Sequence, residues 1–359
     1  MSNVTISPLS TAIPALIDPA LLAHRQRHPR YQPALHLFAT TDRGDQAIGL
    51  VTHTRWRRQL AQFEVGEVEL FGSAHFDVTE TLLAAAAETA VAAGIAWLRC
   101  ALPLSIAGQW GMIPATLHSR ITWHGGDGTL IPATLADVAD LVALDQHAPT
   151  PRCVTPLRYE PDWRWQMRDQ PPLVAHDQLG RIVGYVLLRD EHVIEGRAVD
   201  AGAARDLLCR LPHSTHELWL TPDHPLAQAA LELGATLMLH LPPADGILPV
   251  WIVIDPLTAL RAHQAAFRVR IAASRYADWY GSVALSGEWG AMRIECRAGK
   301  VHISVGTGIA DIDVWQLSSS GLSALLLGRR SVSDLRATNE LRCADHGLEV
   351  VETLFPVSA

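Results

Sequence analysis

Apolar and polar positions fall into a grammar that repeats along the chain. Residues 34–40 (ALHLFAT) and 46–54 (QAIGLVTHT) are apolar runs separated by TTDRGD, which predicts a strand hairpin. Residues 65–73 (VGEVELFGS) predict a further strand. The alanine-rich stretch 79–93, stopped by Gly94, predicts a helix. The short apolar run IAWLRCALP (95–103), closed by Pro103, predicts the next strand. Three strands, a helix and a strand make an α/β layer whose helix crosses between neighbouring strands.

HGGDG at 124–128 reads as a domain boundary, after which the grammar restarts. A helix is predicted at 132–148, two strands around QLGR within 171–196, a helix at 200–210 and a strand at 216–222. A short helix and another strand follow in 225–238. This second segment reads as a worn copy of the first. ILPVWIVIDPLTALRAH (247–263) ends that copy with a strand and opens a helix, with Pro256 well placed in its first turn. From Phe267 the pattern turns to short strands, notably WGAMRIECRAGKVHISVG (289–306) around a tight RAGK turn. Helices are predicted at 318–328, 331–337 and 347–355. The expected class is α/β grading into α+β, in three domains at 1–127, 128–262 and 263–359.

Composition adds exclusions. With 48% hydrophobic and 18% charged residues, the 359-residue chain is that of a globular protein with several cores. A net charge of −8 leaves no electrostatic footprint for a nucleic acid or an anionic membrane surface. The five cysteines are scattered without CxxC spacing, which suggests neither a zinc site nor a disulfide framework. The N-terminus lacks a basic region and carries Pro8 and Pro14, so no signal peptide is expected. The most apolar stretch, LLAAAAETAVAAGIAWL, is broken by Glu88 and Gly94 and is too short to span a bilayer. A cytoplasmic protein that engages neither membrane nor nucleic acid is the expectation.

Three segments carry a resemblance. IAGQWGMIPATL (106–117) follows the buried strand of the first domain, WIVIDPLTALRAH closes the second, and LSALLLGRRSVSDLRA with LEVVETLFP closes the third. In this order they resemble the Eis-like (enhanced intracellular survival) branch of the GNAT acetyltransferases. The resemblance implies two GNAT-like mixed sheets with flanking helices, the second degenerate, followed by a sterol-carrier-like α+β domain. It implies transfer of an acetyl group, or another acyl group, from acetyl-CoA or another acyl-CoA to a small-molecule amine, in a homo-oligomer. The amine must lose a proton to attack the thioester, and the departing thiolate must gain one.

The resemblance also implies site residues. In the family an Arg/Gln-x-x-Gly-x-Gly/Ala loop at the start of the first-domain helix holds the CoA pyrophosphate with backbone N–H groups and the helix dipole. A tyrosine after the next strand acts as acid, and the C-terminal carboxylate acts as base. Here the loop position reads SAHFDVTE (73–80), without arginine and without a glycine after Gly72. The tyrosine position holds Ala107, while Ala359 keeps its carboxylate as the candidate base. Leu70, Phe71 and Gly72 at the strand end, with His75 and Phe76 in the turn, are carried over as the cofactor-side residues. Asp77 and Glu80 have capping-box spacing, with Thr79 a competing cap. Two carboxylates there would repel a pyrophosphate. Acyl transfer weakened or altered by these losses is the expectation; the alternative is a catalytically inactive descendant that binds a small molecule or a protein.

Other motifs have plainer readings. The histidines of HSTH (213–216) and His224 would have to converge to hold a metal, and the intervening strand carries them apart. In PDWRWQM, Trp163 and Trp165 lie near arginines, which admits a cation–π patch or one packed and one surface aromatic. SSSG at 318–321 reads as a helix N-cap. Ile303, Val305, Leu325 and Leu326 serve equally as a domain core or a lipid lining.

Overall fold

The computed structural model describes residues 4–9, 16–72, 76–114, 119–148, 154–189, 192–212, 215–220, 224–239, 247–306, 314–342 and 348–357. The chain forms two compact units, one from Met1–Ala115 with Pro242–Ser358 and one from Thr116–Leu241. Both are mixed α+β, in agreement with the expected class.

In the first unit the strands run in the order Val4–Pro8, Leu37–Thr41, Gln46–Arg58, Ala61–Gly72, Trp97–Pro103, Ile247–Val253, Ile113–Pro114. Neighbours are antiparallel except Ala61–Gly72 and Trp97–Pro103, which the helix Phe76–Ala92 connects as a parallel pair. That helix buries a stripe at fourfold spacing, Val78, Leu82, Ala86 and Ala90, joined by Leu83. They pack on Val51, Val68, Leu98 and Cys100. Each buried leucine stabilises by about 1.5–3 kcal/mol. The opposite face is covered by Pro19–Gln26, whose Leu22 packs with Ile48 and Leu50. Asp18 caps that helix by accepting from the Ala20 N–H at 2.8 Å, and Pro19 opens it. Neither this helix nor the strand Val4–Pro8 was foreseen, because prolines dominate the surrounding pattern.

The same unit carries a further sheet in the order Lys300–Val305, Gly290–Arg297, Gly281–Gly287, Val314–Leu317, Leu341–Arg342. The RAGK hairpin is there, with Ala298 (φ 47°) and Gly299 (φ 73°) both left-handed, as a two-residue turn requires. Ser318 caps the helix Ser319–Leu327, accepting from the Gly321 N–H at 3.1 Å, and Gly328 (φ 66°) ends it. Ile303, Leu325 and Leu326 are buried, while Val305 is exposed.

The second unit orders its strands Thr236–Leu239, Ser119–His124, Thr215–Leu220, His192–Ala198, Ile182–Arg189, Leu173–His176, Ile131–Pro132. Helices Ala201–Cys209 and Pro225–Glu232 bury one face, with Leu207, Leu208 and Leu226. Val138–His147 and Glu160–Asp169 bury the other, with Leu141, Leu144 and Trp163.

Two strands lie where a serial reading does not put them. Ser119–His124 belongs to the second sheet although it precedes the HGGDG punctuation. Ile247–Val253 belongs to the first sheet, pairing antiparallel with Trp97–Pro103 over seven positions, although it follows the second copy. Periodicity identifies a strand, but its partner is fixed by tertiary packing far away in sequence. HGGDG itself answers to packing: a Cβ on Gly125 would lie 1.9 Å from the Pro212 carbonyl oxygen, and one on Gly126 1.5 Å from that of Cys209.

Among the described residues of the first unit, two histidines are buried. His36 accepts from the Val51 N–H at 3.2 Å, and His263 stacks on Phe63 at 5.7 Å. Burial lowers His36 to about 4 and His263 to about 3 from an ordinary 6.5. The unfolded chain therefore binds protons below pH 6.5 that the folded chain refuses, and stability falls as the pH falls through that window. Each histidine costs at most about 1.4 kcal/mol per pH unit there, and less near its unfolded pKa, so the pair should cost roughly 3 kcal/mol between pH 6.5 and 5. Urea unfolding across that range should show the decline, and His263→Phe should remove about half of it. A flat profile would contradict the assignment.

Candidate functional site

The parallel ladder between Ala61–Gly72 and Trp97–Pro103 is short. It joins Val65–Val68 to Trp97–Cys100. Beyond it, residues 70–72 stay paired with 49–47, while Ala101–Pro103 pairs with Pro249, Leu248 and Ile247. Two neighbouring strands that part while remaining in one sheet open a wedge. Its inner edges offer backbone N–H and C=O groups to an extended ligand, as the edge of a sheet does to an added strand.

The expected cofactor-side residues distribute around this wedge. Leu70 packs into the core beneath helix Phe76–Ala92, and Phe71, on the opposite face, packs into the core beneath Pro19–Gln26. Gly72 ends the strand at φ 102°, where a Cβ would meet the Gln46 carbonyl oxygen at 2.5 Å. His75 lies outside the described residues, and Phe76 is the first residue of the helix. Asp77 is therefore the second helical residue and not the cap; the box expected between Asp77 and Glu80 starts two positions too late. Both carboxylates are exposed in the first turns. Ala107 is wholly buried in the helix Leu104–Gln109 that follows the wedge. The thiol of Cys100, on the last rung of the ladder, lies 3.7 Å from the Met112 sulfur, and burial pushes it up to about 12, so it stays protonated.

One cluster was missed by sequence reasoning. On the sheet face away from helix Phe76–Ala92, one rung before the wedge, the Glu67 carboxylate accepts from Thr54 Oγ1 (2.9 Å), Trp56 Nε1 (3.0 Å) and Arg99 Nη1 (2.9 Å). The Arg99 guanidinium lies 5.2 Å from the Trp56 ring and 5.8 Å from the Trp251 ring, and the two indoles meet edge to face at 5.0 Å. Glu69, two residues on, is ion-paired with Arg25. The available signal was the spacing of glutamates in FEVGEVEL, which interrupts an otherwise apolar central strand. Trp251 could not have been added to it, since nothing in the sequence places 247–253 beside Arg99.

The chain end is held by the same unit. Arg58, wholly buried, donates to the Leu326 and Pro356 carbonyls at 3.1 Å each. Arg270 donates to the Leu354 carbonyl at 2.6 Å and to Gln59 Oε1 at 2.8 Å, and Phe355 meets Phe267 edge to face at 5.1 Å. Ala359 lies outside the described residues.

The second unit has a parallel ladder as well. Among the described residues it joins His192–Val193 to Glu217–Leu218, and the neighbouring register shifts between Leu187 and Leu188. Past the ladder, Glu195 pairs with Arg158, and Arg197 pairs with Asp145 at 2.6 Å. The Tyr185 hydroxyl stands at 2.9 Å from both carboxylates, and Trp163 Nε1 donates to Asp145 at 3.2 Å. Burial pushes the Asp145 carboxyl up against the pull of Arg197 and Arg158. Burial also works to raise Glu195, but the charge and hydrogen bonds of Arg158 outweigh it and hold that carboxyl below its ordinary range. Arg158 lies 5.1 Å over Trp163, so the cation–π contact open in PDWRWQM exists, as a buried one. Trp165 is half-buried. His216 bonds the Pro212 carbonyl at 3.0 Å and His224 caps the helix Pro225–Glu232, while His213 lies outside the described residues. Among the described residues no group of three His, Cys, Asp or Glu is placed to hold a metal ion, and no helix is long and apolar enough to cross a membrane.

No protein-family model matches the sequence, and no curated protein matches it. Solved structures do. The chain is similar to a GCN5-related N-acetyltransferase from Kribbella flavida, with a TM-score of 0.69 and 15% identity over 99% of this chain and 98% of that one. A GCN5-related N-acetyltransferase from Anabaena variabilis gives 0.68 at 10% identity, over 99% and 97%. Eis1 from Mycobacterium abscessus gives 0.58 at 17% identity, over 98% and 97%. At such identities the likeness is one of fold, and the fold is that of the GCN5-related N-acetyltransferases.

Proposed function

We propose that the chain is an acyltransferase of the GCN5-related kind, moving an acetyl or other acyl group from acyl-CoA to a small-molecule amine. The observation that carries this reading is the wedge between Ala61–Gly72 and Trp97–Pro103, whose unpaired inner edges suit the extended pantetheine arm. Leu70, Phe71, Gly72, His75 and Phe76 would border that arm. The Ala359 carboxylate would take the amine proton, its tether fixed by Arg58. The Eis-like order of parts is included: a first GNAT domain, a degenerate second one, and a sterol-carrier-like part that delivers the chain end. A division at 127 and 262 then describes the order of the pieces, with the strands at 119–124 and 247–253 exchanged between them.

The pyrophosphate half of CoA fits less well. Asp77 and Glu80 stand exposed in the first turns of the helix, where like charge opposes it. This favours the second reading, a catalytically silent descendant whose wedge binds another molecule. Calorimetric titration with acetyl-CoA separates the two. Dissociation in the micromolar range, with amine-dependent thiol release that vanishes on removal of residues 357–359, supports the enzyme. No heat at millimolar CoA leaves the binding module. On the enzyme reading, Asp77→Arg should tighten CoA binding about 5–10-fold at low salt, and the gain should shrink as salt screens it. Unchanged affinity would place the pyrophosphate away from this helix start.

A further inference from the structure

Arg99 is held more firmly than a strand-face arginine needs, and it is left partly unused. Its Cα is paired with that of Glu67 on one side and Trp251 on the other, one rung before the wedge opens. The corner of two indoles fixes the guanidinium plane, and Glu67 engages only Nη1. Both oxygens of Glu67 are occupied, by Thr54, Trp56 and Arg99, which leaves that carboxylate little capacity for a further partner. No Arg99 nitrogen is a buried atom without a partner, and the side chain keeps 27% of its surface, so the Nε and Nη2 edges reach solvent. Ala101, the next residue on the same face and the first past the ladder, is small and exposed, which leaves room above them. A planar, preoriented pair of N–H donors is the complement of a carboxylate.

We infer that Arg99 recognises a carboxylate on the acceptor, so that the amine acylated here belongs to an amino-acid-like zwitterion and not to a polycation. This rests on the acyltransferase reading. The carboxylate lies on the Arg99 fork, and the amine reaches toward the wedge where the thioester would emerge. A site built to bond a substrate group rejects the analogue that lacks it, so replacing the carboxylate by an amide should cost about 100-fold or more in kcat/KM.

The experiment uses the full chain with acetyl-CoA and a panel of α-amino acids, each paired with its carboxamide. Preference for the acids by that factor, lost in Arg99→Gln and partly kept in Arg99→Lys, supports the inference. Equal rates within the pairs for the unmodified protein overturn it, and that comparison needs no variant to fold. Should no amine be acylated, titration of the same acids and amides by calorimetry decides separately. Binding of acids alone, abolished by Arg99→Gln, sinks the acyltransferase reading and keeps the carboxylate site. Binding of neither sinks both.

Discussion

Asp145→Ala will destabilise the second unit by about 3–5 kcal/mol, because it strands a buried guanidinium. Asp145 is wholly buried and Arg197 keeps 4% of its side-chain surface. The carboxylate also receives the Tyr185 hydroxyl, Trp163 Nε1 and, at 3.2 Å, the Arg158 backbone N–H. Removing it leaves Arg197 with the Thr155 hydroxyl, the Pro156 carbonyl and Tyr185, which carry no charge, and with the Glu195 carboxylate, which Arg158 already engages. The energy at stake is the desolvation of an uncompensated ion, so removing the second charge should recover much of it. Asp145→Leu with Arg197→Met should lie well above the sum of the single losses in urea denaturation, since buried pairs are often replaced by apolar residues at little cost. Strict additivity of the two substitutions would show that the pair is not energetically coupled.

That network also shows what the sequence could not convey. Asp145, Arg158, Tyr185, Glu195 and Arg197 come from two helix borders and two strands spread over more than fifty positions, and their meeting depends on the fold. Local features were legible. The stripe of helix Phe76–Ala92, the RAGK hairpin, the Ser318 cap and the Gly94 stop (φ 77°) each follow from spacing or backbone preference within a few residues. The wedge was not legible, because a ladder that stops after four rungs leaves no trace in periodicity. The Arg99 corner was illegible for a third reason: Trp56, Arg99 and Trp251 join three strands, and Trp251 belongs to the strand that the serial reading gave to the other sheet. Asp77 is a smaller case, in which a two-residue shift of the helix start turned an expected cap into an exposed first-turn charge.

Gly126→Ala should cost the second unit about 4–5 kcal/mol or more, at the far end of single-substitution effects. The added Cβ would lie 1.5 Å from the Cys209 carbonyl oxygen, 2.5 Å from its carbon and 3.0 Å from its Cα, and all three atoms are backbone. A flexible side chain could swing aside; the last turn of helix Ala201–Cys209 cannot. The same contact satisfies that helix end, because Asp127 N–H donates to the Cys209 carbonyl at 3.0 Å and Leu130 N–H to the Arg210 carbonyl at 3.2 Å. A methyl group that pushes the loop away therefore also unpairs carbonyls that would need new partners. Gly180→Ala is the control, since its φ of 76° is strained for alanine but its Cβ would meet no atom within 4 Å. It should cost only about 1 kcal/mol, the conformational share alone. A thermal scan by circular dichroism should place Gly126→Ala roughly 10–20 °C below the unmodified protein and Gly180→Ala within a few degrees of it. If both variants melt together, close approach is not what these glycines serve, and HGGDG reverts to a simple turn between segments.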